Sequence, residues 1–92
     1  MNSTVTFAIR GPLERADLPG LVKRTCALFE NGGFDVLHCE VTGVAADAVA
    51  VDALARLALT AGRAGCHVRL CGVSEELREL VAFMGLSEVL RE

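Results

Sequence analysis

Between Thr4 and Ile9 the residues Val5, Phe7 and Ile9 fall on one side of an extended chain, which predicts a half-buried strand. Gly11 and Pro12 break the run, so this strand ends near Arg10. The period then lengthens. Leu18, Leu21, Val22, Thr25, Leu28 and Phe29 recur at helical spacing and predict a helix over 18–30. Asp17 is placed to cap it, Pro19 sits in the first turn where its missing N–H is harmless, and Asn31-Gly32-Gly33 stops it. The run 34–41, with Val36, Leu37, Cys39 and Val41, is too short for a buried helix and reads as a central strand covered on both faces.

After a Thr42-Gly43 turn, Ala50, Val51, Leu54, Leu57, Ala58 and Ala61 form one apolar stripe of a helix over 48–64, with Asp52, Arg56 and Arg63 pointing away and Gly65 ending it. Val68 and Leu70 alternate with His67, Arg69 and Cys71 in a third strand between Gly65 and Gly72. Ser74 can cap a helix whose first turn carries Glu75 and Glu76, whose stripe is Leu77, Leu80, Val81 and Met84, and whose stop is Gly85. Ser87 is a candidate cap for one more short helix, with Val89 and Leu90 folding back onto the core. The order β-α-β-α-β-α-α implies right-handed crossovers in an α/β fold: a mainly parallel sheet with about four helices, on one face or both.

At 92 residues the chain makes a single domain, over 1–92, with little area left for a second function. Its 52% hydrophobic fraction and net charge of −3 suit a packed core. The basic residues are dispersed, which argues against nucleic acid or an anionic membrane. The start MNSTVTFAIRG has no charged leader followed by an apolar run, and no stretch approaches the ~20 apolar residues of a membrane span, so a cytoplasmic protein is expected. Cys26, Cys39, Cys66 and Cys71 show no metal or redox spacing and read as reduced thiols packed as small hydrophobes.

Reactive groups in this architecture belong at the carboxyl ends of the strands. The loops there offer Gly11, Pro12 and Glu14, then Thr42, Gly43 and Asp47, with none of the glycine spacings that cradle phosphates. His38 and His67 both fall inside strands, where a lone histidine is structural. His38, Cys39, His67 and Cys71 lie on neighbouring strands, but alternation sends His38 and Cys39 to opposite faces, which disfavours a metal site. Neither catalysis nor a cofactor is expected. A helical wheel anchored on Leu54 instead sends Val49 and Leu59 outward beside Asp52, Arg56 and Arg63, a composition suited to protein binding.

Glu40-Val41-Thr42-Gly43-Val44, Asp47 opening the apolar helix with VDALARLAL at 51–59, and Gly65-Cys66-His67-Val68-Arg69-Leu70 together resemble the STAS domains, the sulphate-transporter and anti-sigma-factor-antagonist family. Ser74-Glu75-Glu76-Leu77-Arg78-Glu79-Leu80, running on to Met84-Gly85-Leu86, is similar to the last helix of that family. The resemblance spans nearly the whole chain and implies a small STAS-like fold that acts as a stand-alone interaction module. Its partner would be an anti-sigma factor or a serine-kinase-like protein, bound through the loop and amino end of the second helix, here Thr42, Gly43, Asp47, Ala48, Val49, Asp52 and Arg56. Asp47 matches the acid of the family's phosphoacceptor motif, but Ala48, Val49 and Ala50 follow it and no Ser or Thr occurs between Thr42 and Thr60. A docking module without the phospho-switch is therefore expected, with Thr42 serving the turn.

A second reading is an accessory subunit of an ABC-type lipid or solute transporter, held to its ATPase. A third, a small-molecule sensor or enzyme, would need a polar pocket near Arg10, Thr42 and Gly72. A homodimer through Val49, Leu59 or the edge of the first strand is compatible with all three.

Overall fold

A computed structural model of the chain, described over residues 3–92, has four strands and three α-helices. They run in the order β1 (Thr4–Ala8), a single 3₁₀ turn (Arg15–Asp17), α1 (Leu18–Asn31), β2 (Val36–Glu40), α2 (Ala48–Arg63), β3 (His67–Cys71), α3 (Glu75–Phe83) and β4 (Leu90–Arg91). Met1 and Asn2, part of the start read above as leaderless, lie outside the described residues. Among those described, no helix is long and apolar enough to cross a membrane.

All three strand pairings are parallel and the sheet order is β1-β2-β3-β4. Parallel crossovers are right-handed, and when each one steps in the same direction the helices collect on one side. Burial shows the result. Leu37, Cys39, Val68, Leu70 and Leu90 are buried on the helix side, with Val5 and Phe7 packed against them. Thr4, Thr6, Ala8, Glu40, His67, Arg69, Cys71 and Arg91 are exposed on the other, and Val36 and His38 are half-buried there. The α/β class and parallel sheet are as expected, but β2 is covered on one face only. Its apolar pair, Leu37 and Cys39, points one way while His38 and Glu40 point the other, so the informative signal is the alternation and not the apolar character of the run as a whole.

The helix count falls from about four to three because the tail after Gly85 turns at 87–89 and adds β4 to the sheet. Leu90 is buried as expected, whereas Val89 is 52% exposed. Met84, expected in the apolar stripe of α3, is 54% exposed, because α3 ends at Phe83; within the helix Leu77 and Val81 are buried and Leu80 is half-buried against the core. Asp17 does not cap α1. Its Oδ2 accepts from the backbone N–H of Glu14 at 2.8 Å and so closes the 3₁₀ turn instead. Ser74 caps α3 as expected, accepting from Leu77 N at 3.1 Å. Thr25 is buried in the α1 stripe with its hydroxyl satisfied, donating to the carbonyls of Leu21 and Val22 at 3.1 and 2.9 Å.

At the carboxyl end of the sheet two glycines permit close approach. A Cβ on Gly11 would meet the Gly43 carbonyl oxygen at 2.7 Å, and one on Gly72, which has φ +73°, would collide with the Thr42 hydroxyl. Gly72→Ala should therefore cost about 1–3 kcal/mol in a urea melt, from the left-handed backbone alone or with the contact added. Thr42→Ala in the same chain should restore only the contact's share. Gly62→Ala, in helical backbone near the end of α2 with open space around its Cβ, should instead stabilise by roughly 0.4–1 kcal/mol.

Candidate functional site

The residues singled out from the sequence lie on one continuous run of chain, the loop after β2 and the first half of α2. Asp47 holds an extended backbone, φ −136° and ψ 176°, and its Oδ1 accepts from Ala50 N at 2.8 Å. Its carboxylate thus satisfies one of the free donors at the helix start and complements the helix dipole. Ala48 is exposed in the first turn, and Thr42 and Gly43 are exposed in the loop before it. Gly43 is in the left-handed region at φ +83°.

Val49 departs from its expected place. It is half-buried and packs against the core cluster instead of facing outward. The buried side of α2 is broader than the six-residue stripe suggested: Ala53 is buried and Val49 flanks it. Leu59 does face solvent, at 57% exposure. Of the places named for a homodimer contact, Val49 is half-buried, Leu59 is exposed and β1 stands at the edge of the sheet.

Asp52 is the electrostatic centre of the surface. Its Oδ1 accepts from Arg56 Nε at 2.8 Å and its Oδ2 from Arg15 Nη1 at 2.9 Å. The pair with Arg56 lies within α2, four residues apart, whereas the bond to Arg15 ties α2 to the 3₁₀ turn. No spacing rule could reveal that pair, since the two residues are 37 positions apart. The Arg56 hydrogen bond, with Arg15 beside it, holds the Asp52 carboxyl below its ordinary range.

The loops after β1, β2 and β3 converge here: Gly11 lies against Gly43, and Gly72 against the Thr42 side chain. Two grooves lie elsewhere. One, of about 670 Å³, runs past Cys66, His67, Arg69 and Val89 near the amino ends of the strands. The other, of about 420 Å³, lies between α3 and β4 beside Val73, Val81 and Leu90. Neither is lined by Arg10, Thr42 or Gly72.

The cysteines occupy four different settings. Cys39 is fully buried, and desolvation pushes its thiol up to about 12. Cys66 donates to the Phe34 carbonyl at 3.3 Å, and partial burial together with nearby Asp35 raises its thiol as well. Both are therefore held away from the reactive thiolate form. Cys26 is half-buried and Cys71 is exposed, so the reading of all four as packed hydrophobes fails at Cys71, which lies on the open face of the sheet. His38 and His67 share that open face; among the described residues no group of three His, Cys, Asp or Glu side chains is arranged to hold a metal ion.

No protein-family model matches this chain, and no curated protein matches it in sequence. The fold has been seen before. The NMR structure of the protein TM1081 superposes with a TM-score of 0.77 over 95% of this chain and 70% of that one, at 14% identity. A likeness at that identity establishes the architecture and nothing more.

Because Asp52 has a lower pKa when folded, its contribution to stability is fully present above the ordinary carboxylate range near pH ~4 and is lost as pH falls through the depressed value. Asp52→Asn should remove that part of the acid sensitivity. It should also free the Arg15 side chain, visible as increased hydrogen exchange over 14–18 at neutral pH with the rest of the sheet unchanged.

Proposed function

We propose that this chain is a protein-docking module without chemistry of its own, resembling STAS antagonists, that presents the start of α2 to an anti-sigma factor or a serine-kinase-like protein in the cytoplasm. Thr42, Gly43, Asp47, Ala48, Asp52 and Arg56 make the contact. Val49 supports it from beneath.

The observation that carries this reading is the filled loop edge. In α/β proteins the carboxyl ends of the strands are where a ligand cleft opens. Here backbone packs on backbone at Gly11 and Gly43, and Thr42 packs on Gly72. What remains is a surface that carries an exposed Ala48, a capping carboxylate and the Arg15–Asp52–Arg56 cluster. Such a surface suits a macromolecular partner better than a small substrate.

The phospho-switch of the family it resembles would have no acceptor on this surface beyond Thr42, whose side chain leans on Gly72. Ala48, Val49 and Ala50 carry no hydroxyl. Control of docking therefore falls to the abundance or state of the partner, not to a phosphate on this chain.

Ala48→Glu provides the test. A carboxylate in the first turn of α2 is favoured by the helix dipole, so the melting temperature should hold. A partner seated there would have to bury a new charge and should bind at least ~10-fold more weakly. The wild-type and variant chains are used as paired baits in lysate of the native host, with mass spectrometry of what each retains. An anti-sigma or kinase-like protein lost by the variant supports the proposal. A transporter ATPase lost in the same way replaces the partner and keeps the surface, and equal retention of every protein by both baits moves the interface away from α2.

A further inference from the structure

The outward side of α3 carries a feature that the α2 surface does not use. Phe83 is 85% exposed and neighbouring Met84 54% exposed. An aromatic ring so fully in water on a small domain is unusual, because burying it is among the larger gains a fold can make. α3 is anchored by Leu77 and Val81, with Leu80 half-buried beside them. At 3.6 residues per turn, Phe83 stands on the opposite side, one turn beyond Glu79 and two beyond Glu76.

Those carboxylates define the setting of the ring. Glu75, Glu76 and Glu79 are all exposed. The sole basic residue of α3, Arg78, is already engaged, its Nε and Nη2 donating to the two carboxylate oxygens of Glu92 at 2.6 and 2.7 Å. Among the described residues the ion pairs are Arg15–Asp52, Arg56–Asp52, Arg78–Glu92 and Arg91–Glu88, and none of them engages Glu75, Glu76 or Glu79.

We propose that this end of α3 is a second docking surface and that its occupant is a basic amphipathic segment of another protein. Apolar side chains of the segment cover Phe83, Met84 and the exposed part of Leu80, while its Arg or Lys residues meet Glu76 and Glu79. A guanidinium between those carboxylates is also placed to lie over the Phe83 ring, where the ring quadrupole attracts it. Charge selects this occupant over two others. A second copy related by a two-fold axis would bring like-charged acidic rims together, and an anionic lipid surface would be repelled by the same carboxylates.

The probe is a synthetic helical peptide with Leu and Arg on opposite faces, titrated into the ¹⁵N-labelled full chain; a control peptide carries Glu in place of Arg. Amide shifts should centre on 79–86. Phe83→Ser, which alters an exposed side chain and should leave the melting temperature unchanged, should weaken binding by about tenfold or more. Glu76→Gln with Glu79→Gln should weaken it several-fold and flatten its salt dependence. The proposal is overturned if shifts centre on α2 or the open sheet face, if the Glu peptide binds equally, or if Phe83→Ser binds like wild type. Self-association in sedimentation that Phe83→Ser abolishes would assign the surface to a second copy and overturn it too.

Discussion

Leu37 and Cys39 have no measurable exposure, and they sit in the middle of a sheet that has only one covered side. That pairing of facts governs the rest. A strand flanked by two parallel neighbours and roofed by helices on one side can hide alternate residues only. The apolar residues of the molecule are accordingly concentrated in a single interior shared by α1, α2 and the inward halves of the strands. The other side carries mostly Thr, His, Arg and Glu, side chains that tolerate water above a sheet, with Ala8, Val36 and Cys71 among them. With three helices and one layer of core, regions beyond the helix roof must be fixed by something other than burial.

Two carboxylates supply much of that fixing. Asp52 joins the 3₁₀ turn to α2. Glu92 receives Arg78 on its side chain and Arg69 on its backbone oxygen, which secures the last residue against both α3 and β3. Glu92 is exposed and Asp52 half-buried at the surface, so both pairings are open to screening by salt. The two proposed docking surfaces differ in this respect. The one on α2 is built around such a cluster, whereas the one on α3 has its cation already committed to Glu92 and is left acidic.

Much of the architecture could be read from spacing. The helices over Leu18–Asn31 and Ala48–Arg63 carry clear stripes and glycine stops, and Ser74 acts where a capping residue should. The errors share a cause: each concerns a residue whose fate depends on a partner that periodicity does not reveal. Val49 and Ala53 turn inward because α2 lies across both α1 and β3. The tail becomes a strand because β3 offers it a free edge at Val68 and Arg69. Asp17 closes a turn in place of a cap because its carboxylate is taken by the Glu14 N–H. For the candidate surface, Asp47 at the opening of α2 and Asp52 and Arg56 on its outward side were legible, and their bonds to Ala50 N and to each other are local to that helix. The packing of Gly11 on Gly43, and the reach of Arg15 to Asp52, join loops that the sequence holds far apart.

The order of strands in the sheet is also their order along the chain. No strand waits for a partner made later from a remote segment; each β-α unit is laid against the one before it, as in a short solenoid. During synthesis β2 emerges when β1 is already available, β3 meets the finished edge of β2, and the two residues of β4 close the structure last. The outer edge of β1 stays free from the start, and growth is always at the opposite edge, which ends on the short Val68–Leu90 and Arg69–Arg91 pairing.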